Sequence, residues 1–314
     1  MTAEPREWWP FVSVVVPVYN GEETIQTCVE SLIELDYPKD GFEVLVVDNR
    51  STDGTREILR RYPVTVLEES EIQSSYAARN LGIRCSRGEV LAFTDADCVV
   101  EHGWLRSIVR AIAPEDVGGV AGAIEAYETG SPLEEYQAQR VLRAERAYQH
   151  RVLPFAQTAN AAYRRTVFDR IGLFNPGIIF GGDLDLSWRM QREAGLRLVY
   201  EPLAFVWHRH RTTVQGLFAL YEKNAIAHCL LAQHYDHYAD YPTLRTLAFL
   251  TRECLRSAAR GVLPGGRWGR ERTAVSRMDA VRYAGQMWGW LRWRVGAVVV
   301  PIEASAPRLR EASS

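Results

Sequence analysis

Four groups of residues in this chain combine acid, base or ligand chemistry with suggestive spacing. Asp95 and Asp97 stand two apart in FTDAD, where paired carboxylates can share a hard divalent cation, one directly and one through water. Such a cation offsets the charge that grows on a departing diphosphate. Alone, the pair reads as a solvated turn, but its place directly after the apolar run VLAF shifts the reading toward function. Asp48 follows another apolar run, VLVV, where a carboxylate can accept a hydrogen bond from a base imide or a ribose hydroxyl. The alternative for it is a helix cap, a role equally open to Asp53.

Asp183 and Asp185 lie in GGDLDLSW, where Gly181 and Gly182 permit close approach of backbone or ligand. A carboxylate near a helix N-terminus is favoured by the dipole, so both acids could simply cap, and for Asp185 capping is the preferred reading. Asp183 is the candidate general base. His208 and His210 in WHRHR share one face of an extended segment and could ligate a metal, although paired histidines are more often structural. Arg209 and Arg211 beside them add charge suited to phosphate.

These groups need elements to position them. FVSVVVPV (11–18), FEVLVVD (42–48), VTVLEE (64–69) and EVLAFTDAD (89–97) read as buried strands, separated by helical patterns over 23–35, from about Thr55, and over 74–85. Four strand–helix alternations in a hundred residues predict an α/β fold with a doubly wound, mostly parallel, Rossmann-like sheet. Ligands of such sheets bind at the strand carboxyl ends, where Tyr19–Glu23, Asp48–Asp53 and Asp95–Asp97 all fall. Beyond Gly119 the pattern loosens: a strand over 120–127, a polar helix over 132–151, and a strand and helix over 157–172. A helix over 180–195 and a strand over 197–208 complete a unit spanning 1–212. Residues 213–314 read as a helical C-terminal extension, with helices over 213–235, 243–261 and 271–296 and a Gly/Pro linker at Gly261–Gly266.

The 314 residues carry a formal charge of -2, which speaks against a dedicated nucleic-acid binder. Five cysteines without C-x-x-C or zinc spacing suggest buried thiols in a reducing compartment. MTAEPREWWP holds no apolar leader, and no stretch is long enough to span a bilayer, so a cytoplasmic location is expected. There is no P-loop, G-x-S-x-G, H-E-x-x-H or G-x-G-x-x-G, which disfavours the enzyme classes built on them.

The series VSVVVPVYNGEETI, FEVLVVDNRSTDGT, ARNLGIRCSRGEVLAFTDAD, TANAAYRRTVFDRIGLF and FGGDLDLSWR resembles the family 2 glycosyltransferases of the GT-A fold, over roughly residues 11–220. The resemblance implies an inverting transferase that uses a nucleotide-sugar, most commonly a UDP-sugar, and Mg²⁺ or Mn²⁺. It assigns Pro17, Tyr19, Asn20 and Glu22 to the nucleoside loop, Asp48 to the base, and Arg79 to the nucleotide and its phosphates. Asp95 and Asp97 match the metal motif, with Asp97 the more direct ligand, Asp183 the catalytic base, and His208 or His210 a further metal or diphosphate contact. Thr158, Asn160 and Asp185, with Ala159 and Tyr163, are candidates for the acceptor side. Many relatives carry Glu-Asp where this chain has Gly182-Asp183, which removes one acceptor hydrogen-bond partner.

The tail has a chemistry of its own. From Arg252 to Glu311 twelve arginines face five acids, and Trp268, Trp288, Trp290 and Trp293 accompany them. Arginine with tryptophan on helices suits peripheral contact with the inner face of a membrane, and then a lipid-linked or cell-surface glycan acceptor. The same residues suit packing on the catalytic unit, with tryptophan as core and arginine as solvated face, and a glycan, lipid-linked or small-molecule acceptor stays open. Two competing classes are a nucleotidyltransferase, against which the acidic YNGEE loop counts, and a catalytically silent nucleotide-binding module.

Overall fold

A computed structural model describes residues 8–141, 143–178, 180–235, 244–262 and 270–296. The chain opens with β1 (Val12–Val18), α1 (Ile25–Ile33), β2 (Phe42–Asp48), α2 (Thr55–Leu59), β3 (Thr65–Glu68), α3 (Ser75–Cys85) and β4 (Val90–Thr94). All four strands pair in parallel, β3 on β2, β2 on β1 and β1 on β4, as the alternation predicts. Every β1 residue is buried. Its side chains alternate between two layers: Val12, Val14, Val16 and Val18 join the core under α1, while Val15 joins the core under α3. A strand buried on both faces has no polar side to show, which is why its sequence is apolar but for Ser13, whose hydroxyl donates to Glu43 at 2.7 Å.

Two elements are unanticipated, β5 (Cys98–Val100) and α4 (Trp104–Ile112). The first is too short for any periodicity. The second buries Trp104, Leu105, Ile108, Val109 and Ile112, a helical stripe visible in the sequence once the strand before it is known to be short. β6 (Val117–Ala126) follows, and then α5 (Pro132–Arg140) and α6 (Ala144–Tyr148) in place of the single helix expected over 132–151. A capping box between Ser131 and Glu134 starts α5, and Val141 turns to extended backbone at its end.

β7 (Asn160–Arg164), α7 (Arg165–Ile171), α8 (Gly182–Glu193) and β8 (Arg197–His208) complete the eight-stranded sheet, in the order β3-β2-β1-β4-β7-β6-β8-β5. The sheet is mixed and mostly parallel: β7 runs against β4 and β6, and β5 runs against β8.

The helices expected in the tail are present as α9 (Val214–His234), α10 (Leu244–Val262) and α11 (Arg270–Arg294). α9 packs on α8, with Leu231 and Ala232 against Leu184 and Trp188. α11 packs on α5 and α9: Val275, Met278 and Val281 lie against Leu133, Tyr136, Leu217 and Tyr221, and the Tyr136 hydroxyl donates to Asp279 at 2.8 Å. The tryptophans therefore divide. Trp290 is buried, Trp288 is half exposed, and Trp268 lies outside the described residues with most of the Gly261–Gly266 linker. Among the described residues no helix is long and apolar enough to cross a membrane.

Candidate active site

Parallel strands β2, β1 and β4 all end at the same edge of the sheet, and the chain leaves each of them in a polar loop. The first two loops brace one another. Asn20 adopts φ 50°, its N–H donates to Ser51 Oγ at 2.8 Å, and its side-chain oxygen accepts the Thr52 N–H at 2.8 Å. Glu22 accepts the Gly54 N–H and donates its own N–H to Asp53, each at 3.0 Å. Asp53 also accepts from Thr55 N at 3.1 Å. Asp53 thus serves this loop pair, and Glu22, though exposed, is tied into it.

β4 stops at Thr94, three residues short of the expected end, and this frees the carboxylates. Asp95 pairs with the buried guanidinium of Arg79 on α3. Burial raises the Asp95 pKa, with Arg79 opposing and Asp97 adding to the rise. Asp97 lies in the turn before β5, and the antiparallel register sets Cys98 of β5 opposite His208 at the end of β8. That register brings His208 Nε2 to 3.4 Å from Asp97 Oδ2. A further tie holds the turn, the Arg209 N–H donating to Asp97 O at 2.9 Å. Burial works against both charges, yet the pair prevails: Asp97 is held below and His208 above its ordinary value.

The register also separates the two histidines. The ligand atoms of Asp97, Cys98 and His208 all lie within 4.8 Å of one another, and His210 is not among them. Burial and then the neighbouring His208 push the His210 pKa down to about 4, so it stays a neutral imidazole. Cys98, which no sequence signal singles out, is a buried thiol whose pKa burial raises well above the ordinary value. Of the two arginines, Arg209 stacks on Tyr127 at 4.0 Å, whereas Arg211 lines the cleft.

Asp183 reaches the same cleft from α8. Gly181 adopts φ 85° just before the helix, a left-handed turn that glycine makes without strain, and Asp183 falls in the first turn. Asp183 Oδ1 accepts the Leu184 N–H at 3.0 Å. Burial raises its pKa, partly countered by that hydrogen bond and by Arg79.

The resulting cleft holds about 460 Å³ and is lined by Pro17, Tyr19, Asn20, Arg79, Asp95, Asp97, Thr158, Ala159 and Asp183 among others. Tyr19 stands 55% exposed at its rim. Glu22, His208 and His210 are not among its lining residues, and neither are Asp48, Asp185 and Asn160. Asp48 is 1% exposed and gives its oxygens to Arg56 Nε and, at 3.1 Å, to Ser51 N–H, so it braces the second loop from below. Asp185 ion-pairs with Arg189 at 2.9 Å and accepts the Tyr235 hydroxyl, which ties α8 to the end of α9. Asn160 is buried, its amide donating to Ala123 O and Ala204 O at 2.7 and 2.8 Å and accepting from Trp104 Nε1 at 2.8 Å. Tyr163 is likewise a core residue, bonded to Ser187 Oγ at 2.8 Å. Conversely, Tyr76, Gln157 and Phe180 line the cleft without having been anticipated. Tyr76 stands two residues before the ARN motif and Gln157 directly before TAN, but only the three-dimensional arrangement distinguishes them from other neighbours.

Comparison with known proteins identifies the family and the fold. A family model described as Glycosyl transferase family 2 matches residues 13–172. The glycosyltransferase AglE of Haloferax volcanii is 39% identical over 198 residues, covering 61% of this chain and 64% of that protein. The pre-mycofactocin glycosyltransferase of Mycobacterium tuberculosis is 30% identical over 217 residues, 66% of this chain and 44% of that one. The chain thus spans less than two thirds of either relative's length. Among solved structures, the mannosyltransferase PcManGT from Pyrobaculum calidifontis, in complex with GDP-Man and Mn²⁺, superposes with a TM-score of 0.57 at 24% identity, over 95% of this chain and 78% of that one. TarS of S. aureus does so with 0.52 at 18% identity, over 90% and 55%. The shared architecture is the GT-A fold.

Proposed function

The chain belongs to glycosyl transferase family 2, and on that premise we propose that it moves a sugar from a nucleotide-sugar to an acceptor hydroxyl, with inversion at the anomeric carbon. One observation carries the reading: Asp183 opens into the same cleft as Asp95 and Asp97, within reach of the first nucleoside-loop residues Tyr19 and Asn20. In this reading Asp183 takes the acceptor proton as the hydroxyl attacks, a contribution of about 10²–10⁴-fold. Its raised pKa suits the task, because a stronger base near neutrality accepts a proton more readily. The Leu184 N–H fixes one oxygen and so orients the other. Tyr19 offers an exposed ring to the nucleoside. Arg79 holds Asp95 in place and adds positive charge near the phosphates.

The donor set fits a divalent cation. A carboxylate and an imidazole face one another at 3.4 Å, with a second carboxylate two residues away, and the His208 Nδ1 has no partner among the described residues. Asp97 and His208 would hold Mg²⁺ or Mn²⁺, and when bound it supplies Lewis-acid neutralisation of the leaving diphosphate. The Mn²⁺ and GDP-Man of the mannosyltransferase and the UDP of the TarS 1-349 complex belong to those proteins, and they lend the reading support by fold. Residues 1–212 would carry the donor and the chemistry, and within 213–314 the described helices α9 and α11 pack against that unit on α8 and α5.

The test is calorimetric titration of UDP, GDP and dTDP with Mn²⁺ and again with EDTA. Metal-dependent binding of one nucleotide, together with slow hydrolysis of its sugar derivative, is the expected result. Absence of binding by all three would replace the transferase with a silent module.

A further inference from the structure

Past Asp95 and Asp97 a second cavity of about 410 Å³ opens between α5, α6 and α9. It shares Asp95, Asp97, Gln157, Phe180 and Arg211 with the first, while Asp183 lines only the first. Its wall is strongly cationic: Arg140, Arg143, Arg146 and Arg211 all contribute, and apart from the two shared aspartates none of its lining residues is acidic. Little else neutralises these guanidinium groups. Arg140 stacks on Tyr136 with Asp279 at 3.9 Å, and Arg143 has Glu145 at 3.9 Å. Arg146 and Arg211 have no carboxylate within 4.0 Å among the described residues. Like charges gathered around one concavity repel, and a bound anion relieves the repulsion. In a chain with only two lysines the groups supplied here are arginines, whose forked donors match phosphate oxygens.

We propose that this cavity seats a phosphate group carried by the acceptor, with Arg143 and Arg146 as its principal contacts. The inference rests on the transferase reading and deepens it by naming the acceptor class. The donor diphosphate does not account for these residues, because Arg79 and Arg211 already line the first cavity and Arg143 and Arg146 line only the second. Separation from Asp183 means that the phosphate anchors the acceptor while a different part of it, a hydroxyl, enters the first cavity. Phe180 also edges a small groove of about 170 Å³ with Ile226, Ala227 and Leu230, so the phosphate could be free or borne by an alkyl chain.

The experiment is calorimetric titration of the full chain, with and without Mn²⁺ and the nucleoside diphosphate it binds. Glycerol 3-phosphate and octyl phosphate are the probes, and glycerol and octyl glucoside the neutral controls. Each phosphate is expected to bind at least about tenfold tighter than its control, the effect of one or two charge-assisted contacts. The double variant Arg143→Gln/Arg146→Gln, at partly exposed positions, should erase that preference and leave nucleotide affinity within about twofold. Tighter binding of octyl phosphate assigns the group to a lipid, and tighter binding of glycerol 3-phosphate to a soluble acceptor. Equal binding of phosphates and neutral controls overturns the proposal, as does an equal loss of nucleotide affinity in the double variant. Failure of the transferase reading registers separately, as a wild-type chain that binds no nucleotide, and the titration without nucleotide still reads the cavity.

Discussion

The Tyr76 hydroxyl accepts the backbone N–H of Gly182 at 3.0 Å, and a Cβ at residue 182 would lie 2.9 Å from the Tyr76 ring. The ring is pinned on its other side, stacked on Phe174 at 5.4 Å. This contact joins α3 to the start of α8 one residue before Asp183. It gives a physical reason for glycine at position 182: the space belongs to Tyr76.

Gly182→Ala should therefore displace the start of α8 and lower kcat by about tenfold or more, since sub-ångström to ångström misplacement of a base is costly. Nucleotide affinity should hold. Adding Tyr76→Leu, which frees the space, should recover part of the loss. Steady-state kinetics of the single and double variants decide it, and a wild-type kcat in Gly182→Ala would remove the contact from the account.

Asp183→Asn is expected to abolish transfer, by about 10²-fold or more, and to spare nucleotide binding. Its effect on stability follows from the direction of the shift. A carboxyl whose folded pKa is raised stabilises the fold fully only below its unfolded value near 3.9, and the contribution is lost as pH rises through the folded value. The asparagine variant, which never ionises, should then melt above wild type at neutral pH, by roughly 2–4 °C for each kcal/mol recovered, and converge with it near pH 4. In wild type the acid limb of the rate profile should sit above the ordinary carboxylate range. Thermal melts across pH alongside a pH–rate profile test both halves.

The two histidines should separate cleanly. His208→Ala removes the imidazole beside Asp97 and should weaken Mn²⁺-dependent nucleotide binding by about 10–100-fold. His210→Ala should change it by less than about threefold, because that ring lies outside the Asp97 cluster. Titration of nucleotide at fixed Mn²⁺ compares them, and equal losses would argue against the register-based assignment.

Asn160→Ala should behave as a fold defect. It removes the partner of Trp104 Nε1 and of the Ala204 carbonyl, buried groups worth about 1–3 kcal/mol each when unsatisfied, and of the part-buried Ala123 carbonyl. The melting temperature should drop markedly while KM for the acceptor stays put. A raised KM in a stably folded variant would return Asn160 to the acceptor site.

The sequence by itself determined the central parallel strands, because a strand buried on both faces must be largely apolar, and Val12–Val18 is apolar except for Ser13, whose hydroxyl is bonded to Glu43. It also determined that Tyr19, Asp95 and Asp97 share an edge, since parallel strands end on the same side. Asp183 was legible from the glycines that precede it. What only the tertiary structure decided are relations between distant segments. Whether His208 or His210 meets Asp97 depends on the register of β5 on β8: the two histidines share a face, and a two-residue slip would exchange one for the other. The resemblance alone puts Asn160 and Asp185 on the acceptor side. Their partners in the structure, Trp104 for Asn160 and Tyr235 and Arg189 for Asp185, are contacts between elements distant in sequence or one helical turn away. The gathering of Arg143, Arg146 and Arg211 around one cavity depends on how α6 and the end of β8 come together, an arrangement written in long-range packing and in no local pattern.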